Sequence, residues 1–392
     1  MVLNEKISAL AAKYTADLVA FCQKAVQTRS YSNQEGDMVT LAGSKMRELG
    51  FDEVFIDSTG NVVGRVGNGS RIIHFDSHLD TVEVDDADLW QVPPFSGEIY
   101  QGSIWGRGSV DMKSAFCASV FGAAVAKEAG LLEGKTVYVT GTVCEEYCDG
   151  ENLKMFYEET GIRPDYCIIC EPSDNIITLG HTGKAQIRVK TKGVSAHGSA
   201  PEKGVNAVYK MAEIITRVEK LNQKLMTKSP RGTIVLSDIS CVSASLNAVP
   251  SECSIYLDRR INLGDTLDNV RREMDELVEG TGAEWEVGTL RHTTWKGKEL
   301  IYEPMHAPWK IEENHPLKLA FDTAYQNVFG SPPERYDFWD FGTNAITPVS
   351  MGIPTIGFGP GEYKLAHMRD EHCEISKIID ACRFYAAVIE VI

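Results

Sequence analysis

Apolar, strand-like runs that end in metal-binding side chains constrain this chain more than any other feature. The run from Lys135 to Val143 is rich in β-branched residues, and two adjacent carboxylates, Glu145 and Glu146, follow it directly. Other strand-like runs in the first half of the chain end in His78, Asp111 and Glu171. Because the carboxyl ends of the strands form the ligand-binding edge of a doubly wound α/β sheet, we expect these side chains to meet at one site. Adjacent side chains diverge there, so one glutamate can bind a cation while the other transfers a proton.

Each of these residues, taken alone, also has an ordinary structural explanation. Adjacent glutamates are commonly a solvated part of a loop, an aspartate such as Asp111 is commonly a helix cap, and a histidine such as His78 is commonly packed in a core. His78 and Asp80, however, share one face of an extended strand, which suits a metal ligand and the carboxylate that orients it. The regular spacing of ligand types along successive strand ends favours the functional interpretation.

Length and charge limit the class of protein. A chain of 392 residues is too long for one typical core, so we expect two domains. The formal net charge of −16 argues against nucleic acid as a partner, because binding to phosphate needs clusters of lysine and arginine. The sequence has no apolar run of transmembrane length and begins without the pattern of a signal peptide, so we expect no membrane association. Ten scattered cysteines then indicate reduced thiols and a cytoplasmic protein.

The sequence pattern changes after residue 182, where a second domain is predicted. From Lys184 to Leu290 the order is strand, helix, two strands, helix and strand, which is the order of a ferredoxin-like α+β sandwich. The flanking segments predict an α/β domain with a doubly wound mixed sheet. The predicted organisation is therefore a catalytic domain formed by residues 1–182 and 294–392, with an inserted domain of residues 183–293.

Short blocks throughout the chain resemble the signature blocks of a known family. Those in the larger predicted domain are His78-Leu79-Asp80-Thr81-Val82, Gly106-Arg107-Gly108-Ser109-Val110-Asp111-Met112-Lys113, Glu145-Glu146, Glu171-Pro172, and Ala366-His367 with Glu371. The inserted domain adds Gly193-Val194-Ser195-Ala196-His197, Asn247, Pro250 and Asp258-Arg259-Arg260. From about Val19 to the C-terminus the chain resembles the dinuclear zinc metallopeptidase and amidohydrolase family of acetylornithine deacetylase, succinyl-diaminopimelate desuccinylase, aminoacylase and glutamate carboxypeptidase.

The resemblance implies two divalent metal ions and assigns their ligands. One ion is held by His78, Asp111 and Glu171. The second is held by Asp111, Glu146 and His367, so that Asp111 bridges the two ions. His372 lies close to His367 in the sequence and is the alternative ligand at that position. Mixed histidine and carboxylate ligands suit Zn²⁺ first, with Co²⁺ or Mn²⁺ as alternatives, better than Mg²⁺ or Ca²⁺.

The resemblance also implies roles for residues around the ions. Glu145 is the expected general base, and Asp80 orients His78. His197 reaches a site from the inserted domain, which forms the family's lid, to stabilise an oxyanion, often across a homodimer formed through that lid. The resemblance also implies Asn247 and Arg260 as substrate-binding residues. We add Gly359 from the sequence itself, because a glycine lets its backbone N–H group approach a substrate oxygen closely.

These residues predict hydrolysis of an amide bond in a small peptide or in an N-acyl, N-formyl or N-carbamoyl amino acid. Two ions about 3.5 to 4 Å apart activate a bridging water. Glu145 takes the proton from this water and returns it to the leaving nitrogen, without a covalent enzyme intermediate. The alternative from another class is a metal-containing family member with a non-hydrolytic binding or assembly role. The presence of Glu145 favours the enzyme, because loss of the base is the simplest route to an inactive homologue.

Overall fold

The strand-like runs of the sequence form the strands of two main sheets. The computed structural model describes residues 3–392, so Met1 and Val2, the first residues of the predicted catalytic domain, lie outside the described residues. Within that range the strands are β1 (Glu53–Ile56), β2 (Val62–Gly67), β3 (Arg71–His78), β4 (Ile99–Tyr100), β5 (Ser103–Trp105), β6 (Lys135–Thr142), β7 (Tyr166–Ile169), β8 (Thr178–His181), β9 (Gly183–Lys192), β10 (Thr233–Val242), β11 (Glu252–Ile261), β12 (Glu284–Val287), β13 (Leu290–Thr293), β14 (Glu299–Tyr302), β15 (Met305–His306), β16 (Trp309–Lys310), β17 (Asp337–Trp339), β18 (Thr355–Gly357) and β19 (His372–Glu374).

The helices lie between these strands. In chain order they are α1 (Leu3–Gln27), α2 (Gly36–Glu48), α3 (Ser114–Ala129), α4 (Glu151–Thr160), α5 (Ala207–Met226), α6 (Leu267–Val278), α7 (Pro316–Phe329), α8 (Ile346–Ser350) and α9 (Ile375–Val391). Across residues 3–392, none of them has the length and apolar character needed to cross a bilayer.

The main sheet is mixed, with a parallel centre. Its strands follow the order β1-β2-β6-β3-β7-β18-β8-β16, and β17 pairs with β8. The neighbours β6, β3, β7 and β18 run parallel to one another, whereas β1, β2 and β16 pair antiparallel with their neighbours. The carboxyl ends of β6, β3 and β7 therefore meet at one edge of the sheet.

Helices cover both faces of the main sheet. In β3, the ring of His74 packs against Phe156 and Tyr157 of α4, with centroid separations of 5.5 Å to each. The next residue, Phe75, points to the opposite face and packs at 5.4 Å against Tyr385 of α9. Helices α1 and α3 pack with α9 on that second face. The doubly wound α/β architecture predicted from the sequence is thus confirmed.

The second sheet forms a smaller α+β unit with its own buried core. Its strands follow the order β10-β11-β9-β12, all antiparallel, and β15 adds to β9. Alternate residues of β9 and β11 are buried against α5 and α6, as expected for a sheet with one covered face. The elements β9, α5, β10, β11, α6 and β12 reproduce the predicted ferredoxin-like order, which confirms the predicted lid fold.

A hairpin of β13 and β14 follows β12, and the chain then passes through β15 in the second sheet before β16 rejoins the main sheet. Between its strands, Trp295 donates to the carbonyl oxygen of Gly60, and Lys296 donates to that of Asp57. On β13, the ring of His292 stacks on that of Tyr147 at 4.7 Å. The hairpin is therefore attached to the main domain. The predicted division of the chain at residues 183 and 293 stays a prediction.

Candidate metal centre

The carboxyl edge of the main sheet brings the predicted strand-end residues together. His78 is the last residue of β3, while Glu145 and Glu146 form a short 3-10 turn just after β6. Glu171 follows β7 in the same way. These residues, together with Asp111 and His367, line one cavity of about 310 Å³. The parallel order of β6, β3 and β7 explains why residues distant in the sequence meet there.

The carboxylate of Asp111 connects two histidines. Its Oδ1 lies 2.9 Å from Nε2 of His78, and its Oδ2 lies 3.1 Å from Nε2 of His367. Glu171 lies on the His78 side, with 3.8 Å between Oε1 and the same Nε2. Glu146 lies on the His367 side, with 3.1 Å between its Oε2 and Nε2 of His367. Asp111 therefore lies between His78 with Glu171 and His367 with Glu146, and its bridging of two ions stays a prediction.

Asp111 is held in place by a buried ion pair behind it. Oε1 of Glu371 accepts hydrogen bonds from the backbone N–H groups of Val110 and Asp111, at 2.8 and 3.1 Å. Oε2 of the same carboxylate lies 2.6 Å from Nη1 of Arg107, and both side chains are buried. Arg107 and Glu371, which come from two separate sequence blocks, therefore act together to hold the backbone at Asp111.

The site has more negative charge than its protein neighbours neutralise. Burial raises the pKa of Glu145 and of Glu171 well above the usual range, and burial with the nearby Asp111 raises the pKa of Glu146. Hydrogen bonds to Asp111 and Glu146 raise the pKa of His367 to about 10. Four carboxylates thus lie near only two imidazoles. Bound cations would neutralise the excess negative charge.

The donor set fits divalent cations. Single donor atoms of His78, Glu145 and Glu171 lie within 4.8 Å of one another, and so do those of His78, Asp111 and Glu146. Histidine nitrogen combined with carboxylate oxygen suits Zn²⁺, Co²⁺ or Mn²⁺. The structure brings together all five predicted ligands with Glu145 among them. Which ligand serves which ion, and whether Glu145 is a base or a ligand, remain predictions.

Asp80 contacts both His78 and the backbone of Glu145 and Glu146. Nδ1 of His78 lies 2.8 Å from the backbone oxygen of Asp80 and 3.6 Å from its carboxylate. The carboxylate accepts hydrogen bonds from the backbone N–H groups of Glu145 and Glu146 and from the hydroxyl of Ser32. Asp80 is fully buried and joins the segment that carries Glu145 to the strand that carries His78.

Of the predicted substrate-binding residues, Arg260 lines the cavity and Gly359 does not. Asp258 holds the guanidinium of Arg260 at 2.7 and 3.0 Å. Gly359 is buried and is not among the residues that line the cavity, and its N–H donates to Oγ of Ser173 at 3.0 Å. A Cβ atom at Gly359 would lie 2.3 Å from the carbonyl oxygen of Cys170, so close packing accounts for this glycine. Its N–H therefore already has a hydrogen-bond partner within the protein.

His197 and Asn247 lie together on the exposed surface of the second domain. They line a separate groove with Tyr209 and Leu246, and among the described residues this groove shares no lining residue with the metal-ligand cavity. Nδ1 of His197 lies 2.7 Å from the hydroxyl of Ser199. Within one chain, the structure does not bring His197 or Asn247 to the predicted metal ligands.

His372, the alternative to His367, has other partners. Its ring stacks on Trp105 with centroids 4.2 Å apart, and its Nδ1 lies 2.7 Å from the backbone oxygen of Asp370. It belongs to β19, which pairs with β5. Of these two histidines, only His367 lines the cavity and lies within 3.1 Å of candidate ligands.

Sequence reasoning missed a buried polar group beside Glu145. Asp149 lines the cavity and lies 2.5 Å from Nζ of Lys184, and the hydroxyl of Tyr302 donates to it at 2.9 Å. These residues come from three separate parts of the chain. The available signal was an acidic residue four positions after Glu145, ahead of α4.

The sequence matches a known protein family and an individual relative over most of its length. The family model described as "Peptidase family M20/M25/M40" matches residues 74–391. The chain is 35% identical over 380 residues to the "Uncharacterized protein YgeY" of Escherichia coli (strain K12), covering 96% of this chain and 94% of that protein.

Solved structures show the same fold at lower sequence identity. An M20 family metallo-carboxypeptidase from Sulfolobus solfataricus superposes with a TM-score of 0.74 at 17% identity, covering 95% of this chain and 98% of the other. A dinuclear metal-binding peptidase of the M20 family from Bacillus subtilis gives a TM-score of 0.70 at 12% identity, covering 97% and 98%.

Proposed function

The chain belongs to peptidase family M20/M25/M40, and on that basis we propose that it hydrolyses a C–N bond in a small peptide or in an N-acyl, N-formyl or N-carbamoyl amino acid. Metal-dependent amide hydrolysis is the general activity that membership of this family supports. The main support for the proposal is one observation: Glu145 is buried in the same cavity as all five predicted metal ligands. We propose zinc as the metal, with cobalt or manganese as alternatives.

The proposed roles follow from the contacts of each residue. Two cations held by His78, Asp111, Glu146, Glu171 and His367 would supply Lewis-acid activation of a water molecule and of the substrate carbonyl group. Glu145 accepts the proton of the attacking water and donates it to the leaving nitrogen. Burial raises its pKa, so its carboxylate takes up a proton more readily than that of an exposed glutamate. Arg260, which lines the cavity, is placed to bind a substrate carboxylate.

The substrate class can be tested with a panel of dipeptides and of N-acyl, N-formyl and N-carbamoyl amino acids. The protein is first treated with a chelator and then reloaded with Zn²⁺, Co²⁺ or Mn²⁺. We expect turnover of at least one class, loss of turnover on chelation and recovery on reloading, measured as release of the free amino acid. Fully loaded protein that turns over no member of the panel would contradict the hydrolase and favour the alternative binding or assembly role.

We further propose that the protein is a homodimer formed through its lid and that His197 acts on the site of the partner subunit. The strand β10 lies at the edge of the lid sheet and exposes Val235, Ile239 and Val242, each with about half or more of its surface accessible. An exposed apolar edge strand of this kind is typical of a pairing surface. The separation of His197 from the cavity of its own chain supports action across such a dimer.

Complementation between two inactive variants tests this arrangement. Chains carrying Glu145→Gln and chains carrying His197→Ala are co-expressed with different tags, and heterodimers are purified through both tags. If His197 acts across the dimer, one of the two sites in each heterodimer contains both intact residues, so we expect about half of wild-type activity. If His197 acts within its own chain, the heterodimer would be no more active than the parent variants.

The cellular location is also a proposal. All ten cysteines of the sequence, which fall between Cys22 and Cys382, are free thiols. On this ground we propose the cytoplasm, where thiols stay reduced.

A further inference from the structure

The segment that carries the predicted base is held by side chains from three other parts of the chain. Four consecutive backbone N–H groups, from Val143 to Glu146, all donate to side-chain oxygens. The acceptors, in order, are Oδ1 of Asn61 at 3.0 Å, Oε1 of Glu35 at 3.0 Å, and Oδ1 and Oδ2 of Asp80 at 3.1 and 3.2 Å. Each of these three acceptor side chains is fully buried.

The turn at Cys144 explains why such acceptors are needed. Strand β6 ends at Thr142, and Cys144 has a φ of 58°, in the left-handed region that residues other than glycine seldom adopt. The chain leaves the sheet here, so its N–H groups lose their strand partners while they remain buried. A buried N–H group without a partner costs free energy, and side-chain acceptors replace the lost hydrogen bonds.

Glu35 is the least expected of the three acceptors. It precedes α2, yet its side chain does not cap that helix. Its Oε1 accepts hydrogen bonds from the N–H groups of Asn33 and Cys144 and from the Cys144 thiol. Its Oε2 is buried and has no hydrogen-bond partner among the described residues. Such a carboxylate is costly to bury, and a glutamine would offer the same acceptor without the charge.

We propose that Glu35 is a positioning residue for the general base, because it fixes the left-handed turn at Cys144 from which the Glu145 side chain enters the cavity. This inference rests on the proposed role of Glu145 in catalysis. Glu35 itself is not among the residues that line the metal-ligand cavity, so we infer that it acts through its hydrogen bonds to Cys144 rather than by contact with the substrate. Displacement of a reacting group by about 1 Å costs roughly 100-fold in rate, so a small change in this turn is enough to matter.

The test compares Glu35→Ala and Glu35→Gln with the control Asp165→Asn. Asp165 is exposed and accepts a hydrogen bond from the N–H of Ile72 at 2.7 Å, so it also holds backbone, but near the start of β3 and away from the site. For Glu35→Ala we expect kcat to fall about 10- to 100-fold with KM and metal content unchanged. Glu35→Gln keeps an acceptor oxygen and is expected to recover most of the lost rate. Asp165→Asn is expected to match the wild type.

Hydrogen exchange gives a second measurement that needs no substrate. In metal-free protein, we expect the peptide that covers residues 143–147 to exchange about tenfold faster in Glu35→Ala than in wild type. Unchanged exchange in that peptide would overturn the proposal, and so would faster exchange with an unchanged kcat. If wild-type protein turned over no substrate, the proposed function would fail. The exchange result would still decide whether Glu35 holds residues 143–147. Should Glu35→Ala not fold, the same two measurements on Glu35→Asp decide, because its shorter side chain withdraws the acceptor oxygen from the N–H of Cys144.

Discussion

Replacement of Glu145 by glutamine is expected to lower kcat by about 10²- to 10⁴-fold, the contribution typical of a positioned general base. Glutamine keeps the size and an acceptor oxygen of the side chain but cannot accept the proton. Because the five predicted ligands are unchanged, both metal ions should remain bound. The measurements are steady-state kinetics on a substrate found in the panel and metal content by elemental analysis.

Metal content decides how the result is interpreted. Glu145 lies within 4.8 Å of donor atoms of His78 and Glu171, so the geometry also allows it to be a ligand. Loss of one ion in Glu145→Gln would identify it as a ligand rather than a base. Near-normal turnover with both ions present would remove it from the mechanism. Glu145→Asp, which retains a carboxylate but shortens the side chain, should keep part of the activity if proton transfer is its role.

Replacement of Asp111 by alanine is expected to remove both metal ions and all measurable turnover. Its two carboxylate oxygens lie 2.9 and 3.1 Å from the two histidines, so it is the one predicted ligand in contact with both sides of the site. Metal content should fall from about two ions per chain towards zero, and kcat should fall beyond the 10⁴-fold limit of a lost base.

The matched variant for this prediction is Glu146→Ala. Glu146 contacts His367 on one side of the site, so its loss should cost one ion and leave the other. An Asp111→Ala protein that retained one tightly bound ion would show that Asp111 is not shared. A Glu146→Ala protein with full occupancy would contradict the assignment of Glu146 as a ligand.

The sequence predicted the strand-end residues well because their positions depend on one regular rule. Parallel strands that are neighbours in the sheet have adjacent carboxyl ends, so His78, the glutamate pair and Glu171 had to meet if these runs were strands of one sheet. The fold class followed from the same alternation of strands and helices. The choice of His367 over His372 came from resemblance to a family and stays a prediction. In the structure His367 lines the cavity, whereas His372 stacks on Trp105.

Features that depend on tertiary geometry could not be predicted in this way. Asp149 precedes α4, Lys184 lies in β9 and Tyr302 lies in β14, so only the tertiary structure brings the three side chains together. The N–H of Gly359 looked available in the sequence, but the hydroxyl of Ser173 accepts it. The position of His197 relative to a site depends on how two chains associate, which no pattern within one chain specifies.

The excess of carboxylates at the site has a consequence for the order in which the complex assembles. The cavity contains Asp111, Glu145, Glu146 and Glu171 in a protein whose formal net charge is −16. An anionic substrate that approaches the metal-free protein meets a repulsive potential there, and divalent cations reverse the local sign. For the carboxylate-bearing substrate proposed above, we therefore expect metal binding to precede substrate binding. On this proposal, removal of the metal ions is expected to lower the affinity for a carboxylate-bearing substrate.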